Sequence, residues 1–338
     1  MIIFSALFLW YFHSNKESSI ADTIVHAARK QVAVTMETRN ETISSHKSTS
    51  QHAHYPINCS NIHKVVLGEK LGQGRYRVTY SGVFNGQDVA VKIVTPAVAY
   101  VKNCILVKEK AKLSKLPNAR YEEDCFKKPN MLMLKEIGFL GELDHSGIIK
   151  LFGFCERNET SPYNPNPINH GIVSVFERAS SKLKVEHMQA MSLETRLQTA
   201  LQLTDLLNYM QNSPLGSLVH NDMHTSNYMI FQGQMKISDL DAMSTSEVQC
   251  RKEMEPCLFN ITCQNGMCVG ENAATNMNKA TEVFFKQLLS CSNNCGNVEN
   301  EIKTLYNNMT EKVMKAETVK DIIISIQRKL HLESTSIK

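Results

Sequence analysis

The sequence predicts an α+β protein of about two packing units, β-rich in the first half and helical in the second. The chain has 338 residues, 42% of them hydrophobic, which excludes a disordered chain and allows a sizeable core. Short β-branched runs separated by turn residues begin at Lys64, and helical apolar spacing follows Ser192. The net charge is only +4 and no polybasic face stands out, which argues against nucleic acid as a partner.

The N-terminal region predicts a targeting segment followed by a stem. The opening run MIIFSALFLWYF carries no charge. As a helix it would span about 18 Å, short of the roughly 30 Å of a bilayer core. We therefore expect residues 1–13 to be a signal peptide or a truncated signal-anchor, the only expected membrane contact, with a buried N-terminal helix as the alternative. Residues 14–58 are polar and rich in Ser, Thr and His, which predicts a disordered stem.

Cysteines and glycosylation sequons bear on the compartment. The even count of ten cysteines, with the apolar leader, favours an oxidising compartment. The count alone leaves open whether they form disulfides, bind metal or are buried thiols. Sequons that permit glycosylation occur at Asn40, Asn58, Asn158, Asn260 and Asn308.

A glycine-bearing turn and a lysine strand open the β-rich half. Gly72 and Gly74 lie where glycines would let backbone amides approach a polyphosphate, although a Gly-x-Gly pair alone is a weak signal and most such pairs are merely turns. The pair Asn85-Gly86 is a strong signal for a β-hairpin. The strand after it reads Val-Ala-Val-Lys, and its Lys92 would reach toward α- and β-phosphates.

Together these segments resemble the N-lobe of the eukaryotic protein kinases. The third glycine of that family's loop is Arg77 here, which predicts a less flexible loop or an added positive charge near the phosphates. The resemblance implies that Lys92 pairs with a helix carboxylate. Counting back from His145 selects Glu136 for that role, and Glu142, nearer the helix end, is the alternative.

Two further segments fit the same resemblance. Residues 97–130 are extra relative to a minimal kinase N-lobe, and we expect a surface insert tied by one disulfide between its two cysteines. The run GIVSVFERASS is typical of the last N-lobe strand and the hinge. There the backbone of Glu177 to Ala179 would bind the adenine edge, with Phe176 as gatekeeper or as plain core.

The strongest segment reads LVHNDMHTSNYMIFQGQMKISDLDAM and follows a helix predicted from Ser192 to about Gln211. It matches the kinase pattern H-x-D-x-x-x-x-N, continues through a Gln-Gly hairpin, and ends in Asp-Leu-Asp where kinases have D-F-G. Phosphoryl transfer depends chiefly on metals and positioning. The resemblance implies that Asp222 accepts or orients the nucleophile's proton, while Asn227 and Asp239 hold the Mg²⁺ or Mn²⁺ ions that bridge the phosphates of ATP.

Three departures from the protein kinases bear on function. Asn221 replaces the arginine that clamps a phosphorylated activation loop, so we expect no activation by loop phosphorylation. Asp241 replaces the D-F-G glycine, which argues against the backbone flip of that glycine. His224 lies two residues after the catalytic aspartate, as in small-molecule kinases of the aminoglycoside and choline type. We expect its imidazole to stabilise the transferring group, and a hydrogen bond within the loop is the alternative.

Six cysteines, Cys250 through Cys295, surround the place of a kinase activation segment, and the A-P-E motif is missing. The stretch has no C-x-x-C pair and no histidine, so disulfides are favoured over zinc. Its E-P-C, N-I-T-C and F-F-x-x-L-L pieces resemble the vertebrate lonesome kinase family, secreted protein-tyrosine kinases among the divergent secretory-pathway kinase-like proteins. The resemblance covers about residues 64–330 and is most specific from 213 to 290.

This resemblance implies a bilobal protein kinase-like fold, with an N-lobe at residues 59–178 and a disulfide-stapled C-lobe at 179–335 that contains the cysteine-rich segment 250–295. It implies an ATP-dependent kinase of the ER and Golgi lumen and the extracellular space that phosphorylates tyrosines of secreted or lumenal proteins. The alternatives are a pseudokinase binding module, favoured by the departures at Arg77, D-F-G and A-P-E, and a glycan or small-molecule kinase. The sequence leaves the oligomeric state open.

Overall fold

A computed structural model describes residues 55–110, 120–157, 171–250, 257–291 and 295–336. The expected leader and nearly all of the expected stem lie outside these residues. The chain divides into two compact units. The first runs to Gly141 and includes Lys150–Arg178, and the second consists of Glu142–Ile149 and the chain from Ala179 onward.

A five-stranded antiparallel sheet forms the first unit, with the strand order β1-β2-β3-β5-β4. Its strands are β1 (Val66–Gln73), β2 (Val78–Phe84), β3 (Gln87–Ile93), β4 (Leu151–Glu156) and β5 (Ile172–Glu177). The hairpin between β2 and β3 turns at Asn85 and Gly86, whose φ angles of 50° and 79° suit this pair of residues. The predicted hairpin is confirmed.

The end of the predicted stem belongs to this sheet, which corrects its boundary. Ile57 is 1% exposed within the sheet's apolar core. Its N–H donates to the carbonyl of Phe152 at 3.1 Å, and a disulfide joins Cys59 to Cys155. The close approach needs glycine at Gly153, because a Cβ there would lie 1.8 Å from the Ile57 carbonyl oxygen. Residues 55–58 therefore belong to the first unit and not to a stem.

Helices α1 (Ala99–Lys110) and α2 (Arg120–Glu142) complete the first unit. Most of the predicted insert is therefore helical, and its second helix continues into the segment that carries Glu136. A disulfide joins Cys104 on α1 to Cys125 on α2, as expected for the insert.

The second unit is mainly helical. Ser192 caps the helix that begins at Leu193, since its Oγ accepts a hydrogen bond from the Thr195 N–H. The predicted helix from Ser192 to Gln211 is thereby confirmed. The helices are α3 (Val185–Ala190), α4 (Leu193–Gln211), α5 (Glu271–Ala280), α6 (Lys286–Leu288), α7 (Glu299–Glu311) and α8 (Ala316–Ser336), with a π-helical turn (Thr281–Phe285) joining α5 to α6.

Short strands in the second unit hold the loops that carry the candidate site. One group contains β6 (Ser181–Lys182), β8 (Tyr228–Phe231) and β9 (Gln234–Ile237), and the other pairs β7 (Val219–His220) with β10 (Met243–Ser244). The predicted Gln232-Gly233 hairpin is confirmed by φ angles of 50° and 83°. A β-rich first unit and a helical second unit confirm the α+β prediction. Among the described residues, no helix is both long and apolar enough to span a bilayer.

Candidate active site

In the first unit a buried ion pair joins the central sheet to α2. Lys92 lies on β3 between β2 and β5, and its Nζ lies 2.6 Å from Oε1 of Glu136. The two residues are 8% and 0% exposed. Glu142, the alternative partner, is the last residue of α2 and is exposed. Of the two candidate glutamates, the structure therefore pairs Glu136 with Lys92.

Arg77, the residue at the third glycine position, contacts the same carboxylate. Its guanidinium lies 3.1 Å from Oε2 of Glu136, and the residue is only 9% exposed. Each oxygen of Glu136 therefore has its own cation, which offsets the free-energy cost of a buried carboxylate. The positive charge expected near phosphates is directed to Glu136.

The predicted hinge lies at the end of β5. Phe176 is fully buried, and its ring centroid is 4.6 Å from Lys92 Nζ. The Glu177 N–H donates to the Lys150 carbonyl at 3.0 Å, and Glu177 Oε1 accepts from the Lys150 N–H at 2.7 Å. The Glu177 N–H therefore already has a protein acceptor. Ala179 is the next predicted adenine-binding position and is half-buried.

The two predicted phosphate-loop glycines lie at the end of β1. Gly72 pairs with Thr79 of β2, and the Gly74 N–H donates to the Arg77 carbonyl at 2.9 Å. A Cβ at Gly74 would lie 3.8 Å from that carbonyl oxygen, an ordinary contact. The fold itself therefore tolerates a side chain at Gly74.

In the second unit, Asp222 and Asn227 are joined directly. Asn227 ends a 3₁₀ turn, Thr225–Asn227, and its Nδ2 donates to both the carbonyl oxygen and Oδ2 of Asp222, each at 2.9 Å. Because both donors of the amide point at Asp222, Oδ1 of Asn227 is oriented as an acceptor. This arrangement fixes the rotamer of the catalytic candidate.

Asp239 reaches the same region through its neighbour Ser238. The Ser238 N–H and Oγ both donate to the Asn227 carbonyl, at 2.8 and 3.1 Å. Oδ1 of Asp239 accepts from the Asp241 N–H at 3.3 Å. The amide oxygen of Asn227 and the carboxylate of Asp239 are oxygen ligands of the kind that Mg²⁺ and Mn²⁺ prefer, so the chemistry of these residues fits a divalent ion.

Helix α5 supports the loop that carries Asp222 through two residues that the sequence did not identify. Asn276 accepts from the His220 N–H at 2.9 Å and donates to the Leu218 carbonyl at 2.8 Å. Lys279 Nζ donates to the carbonyls of His220 and Asn221 at 3.3 and 3.1 Å. Their spacing of three places them on one helix face, but only the loop's position identifies their acceptors.

Burial lowers the pKa values of two basic side chains near the loop that carries Asp222. Desolvation lowers the pKa of His220 to about 4, with Asp239 and Asp222 opposing the shift, so the ring is neutral at physiological pH. Desolvation also lowers the pKa of Lys279, again with Asp222 opposing the shift. Asp222 is thus one of the charges that favour the protonated form of Lys279.

His224 forms a hydrogen bond within its own loop, which was the alternative to a contact with the transferring group. Its Nδ1 accepts from the Ser226 N–H at 3.3 Å and lies 3.1 Å from Ser226 Oγ. The ring therefore begins the 3₁₀ turn that leads to Asn227, and the side chain is exposed.

The cysteine-rich segment contains three disulfides, Cys250–Cys263, Cys257–Cys268 and Cys291–Cys295. The sulfurs of Cys250, Cys257 and Cys268 lie within 4.8 Å of one another, but each belongs to a disulfide and offers no thiolate to zinc. Glu247 attaches the segment to α5, since its carboxylate accepts from the N–H groups of Gly270 and Asn272 at 3.1 Å each.

Several known proteins are similar in sequence to this chain. A family described as protein tyrosine and serine/threonine kinase matches residues 119–262. Extracellular tyrosine-protein kinase PKDCC of Homo sapiens is 25% identical over 244 residues, 69% of this chain and 45% of that protein. The chain therefore carries a protein kinase domain. The predicted kinase-like fold and the resemblance to secreted tyrosine kinases are both confirmed.

Two relatives come from Arabidopsis thaliana. The serine/threonine-protein kinase-like protein CCR3 is 25% identical over 167 residues, 48% of this chain and 17% of that protein. The L-type lectin-domain containing receptor kinase S.5 is 27% identical over 165 residues, 48% of this chain and 20% of that protein. The chain spans less than half the length of each of these three relatives.

Proposed function

We propose that this chain, which carries a protein kinase domain, is an ATP-dependent kinase that phosphorylates tyrosines of secreted or lumenal proteins. It would act in the ER and Golgi lumen and outside the cell. The observation that carries the proposal is the buried pair of Lys92 and Glu136, 2.6 Å apart. Removing two charges from water costs several kcal/mol, and a module used only for binding has no need of that pair.

Each candidate residue has a role that matches its geometry. Lys92, held by Glu136, would bind phosphate oxygens of ATP, and the absence of a Cβ at Gly72 and Gly74 would let the phosphates approach the backbone of the turn. Asn227 and Asp239 would hold the divalent ion, which neutralises developing charge on the phosphates when bound. Asp222, with its rotamer fixed by Asn227, would orient the acceptor hydroxyl and take its proton.

Two observations support the secretory location and the tyrosine preference. All ten cysteines form five disulfides, which persist in oxidising compartments. PKDCC, the relative with the widest coverage of this chain among the three described, is named an extracellular tyrosine-protein kinase. The other two relatives are a serine/threonine-protein kinase-like protein and a receptor kinase, so the acceptor residue must be tested directly.

The test uses the full chain secreted from a eukaryotic host and incubated with labelled ATP, Mg²⁺ or Mn²⁺, and a mixture of secreted proteins. The expected product is phosphotyrosine in protein, lost in Lys92→Met and Asp239→Ala. Lys64→Met, an exposed lysine in the same unit as Lys92, is the matched control and should retain activity.

Other outcomes would select the alternatives. Absence of transfer by the wild type to any acceptor would leave a pseudokinase binding module. Transfer to glycans or small alcohols, without transfer to protein, would select a small-molecule kinase. Phosphoserine as the main product would keep the protein kinase and remove the tyrosine preference.

A further inference from the structure

The end of β1 and the turn that follows it, residues 72–77 and here called the 72–77 turn, are attached to the helices beside them through three consecutive residues. The Arg75 carbonyl accepts from the Tyr100 N–H at 3.1 Å. The Tyr76 ring packs against the Tyr100 ring with centroids 5.1 Å apart. The Arg77 guanidinium pairs with Glu136 at 3.1 Å. Tyr100 lies in α1 and Glu136 in α2, so each residue of the turn's second half has a partner on a helix.

Cationic side chains strengthen the aromatic contact. The Arg75 guanidinium lies 5.6 Å from the Tyr76 centroid and 5.9 Å from that of Tyr100. Lys128 of α2 places its Nζ 5.7 and 5.8 Å from the same two rings. All four distances are within the range of cation–π attraction. Two cations and two aromatic rings thus form one cluster that joins the turn, α1 and α2.

A covalent bond fixes the two helices to each other. The Cys104–Cys125 disulfide joins them one turn after Tyr100 and one turn before Lys128. Cys125 is fully buried. The positions of Tyr100 and Lys128 relative to each other therefore depend on this disulfide.

We propose that the described part of the insert, residues 97–110 and 120–130, is a brace that holds the 72–77 turn in one position, with Tyr100 and Lys128 as positioning residues for ATP. The proposal rests on the proposed function, because a phosphate-binding turn needs its N–H groups in place before the nucleotide arrives. Pre-ordering the turn reduces the entropy lost on binding, so the brace should act on nucleotide affinity more than on turnover. It also explains why the third glycine of the kinase loop is not needed here, because Arg77 at that position holds the turn in place through its contact with Glu136.

The test measures the turn directly by amide hydrogen exchange in the full-length protein. Loss of an aromatic pair should raise the exchange rates at residues 74–77 in Tyr100→Ala about threefold to tenfold. Tyr100→Phe keeps the ring and should exchange as the wild type does. The double variant Cys104→Ser/Cys125→Ser should raise the same rates, whereas Cys291→Ser/Cys295→Ser, in the other unit, should leave them unchanged.

Kinetics provide the second measurement. Tyr100→Ala should raise KM for ATP by about the same factor, with kcat within about twofold of the wild type. Unchanged exchange in both Tyr100→Ala and the Cys104/Cys125 variant would overturn the brace, as would a fall in kcat with KM unchanged. An inactive wild type would contradict the proposed function only, because the exchange measurement needs no activity.

Discussion

The two hydrogen bonds that Lys279 donates give a specific prediction for the rate of the reaction. Its ammonium donates to two carbonyls of the loop that carries Asp222. Lys279→Met would leave both carbonyls without this donor, and a small displacement of the loop should lower kcat by about tenfold or more. KM for ATP should change by less than about twofold, and Lys279→Arg should recover part of the rate.

The matched control for this prediction is Lys286→Met. Lys286 lies in the same helical run as Lys279 but is exposed. Equal losses of kcat in the two variants would mean that charge in general, rather than the contact with the loop, supports the reaction. Melting temperatures of both variants separate loss of rate from loss of folded protein.

Because the His220 ring is buried, we expect the free energy of unfolding to depend on pH. Its folded pKa of about 4 lies below the ordinary value of 6.5, so on acidification the unfolded chain binds the proton first. The contribution of this group is complete above about pH 6.5 and is lost as the pH falls toward 4. Between pH 7 and 5 the free energy of unfolding should fall by about 2 kcal/mol from this group, at up to about 1.4 kcal/mol per pH unit.

Urea unfolding at pH 7, 6 and 5 measures this effect. In His220→Phe, the fall between pH 7 and 5 should be smaller by about 2 kcal/mol, because the substituted ring does not titrate. The same fall in the wild type and the variant would assign the pH dependence to other groups.

At the residue scale, the sequence located the acids and the lysine but not what supports them. Motif spacing selected Lys92, Asp222, Asn227 and Asp239, because phosphoryl transfer restricts residue type and order. Asn276 accepts a hydrogen bond from the N–H of His220, which is 56 residues away, and no sequence periodicity predicts such a contact. The Arg77 contact with Glu136 was likewise missed, since it depends on the path of the turn in space.

At the element scale, the disulfides differ in how much chain they constrain. Cys59–Cys155 spans 96 residues and Cys291–Cys295 only 4. In the chain-entropy model these closures stabilise by about 4.7 and about 2 kcal/mol. Cys59→Ser/Cys155→Ser should therefore lower the free energy of unfolding by about 2–3 kcal/mol more than Cys291→Ser/Cys295→Ser does. Guanidinium denaturation of the two variants tests this order, and equal losses would contradict it.

Elements defined by neighbouring residues were predictable, and those defined by distant contacts were not. Both Gly-containing hairpins and the helix capped by Ser192 follow from local turn and cap chemistry. The stem boundary was placed too late because the four residues 55–58 are too few to show an apolar pattern of their own. What orders them is pairing with Phe152, almost a hundred residues away.

For the whole molecule, we expect activity that is set by folding and not by phosphorylation. Asn221 replaces the arginine that would bind a phosphorylated activation loop, and disulfides constrain the segment that follows Glu247. Phosphatase treatment of the purified chain should leave its rate within about twofold, whereas reduction under native conditions should lower it. A phosphatase-sensitive rate would show that a phosphorylated site, still to be located, controls the enzyme.

At this scale the motifs predicted the fold class well, because kinase motifs occur on specified strands and loops. The division into two units follows from the same motifs. The disulfide connectivity of the ten cysteines does not follow from the motifs, since six cysteines in one segment already allow 15 pairings. Only the three-dimensional arrangement chooses among them.

The disulfide from Cys59 to Cys155 also imposes an order on biosynthesis. At about 5–20 residues per second, Cys155 is synthesised roughly 5–20 s after Cys59, and Cys104 and Cys125 emerge in between. During that interval the Cys59 thiol has two incorrect partners. Closure of Cys104–Cys125 removes both before the correct one arrives. A Cys125→Ser chain would therefore expose Cys104 as a competitor and yield mispaired protein.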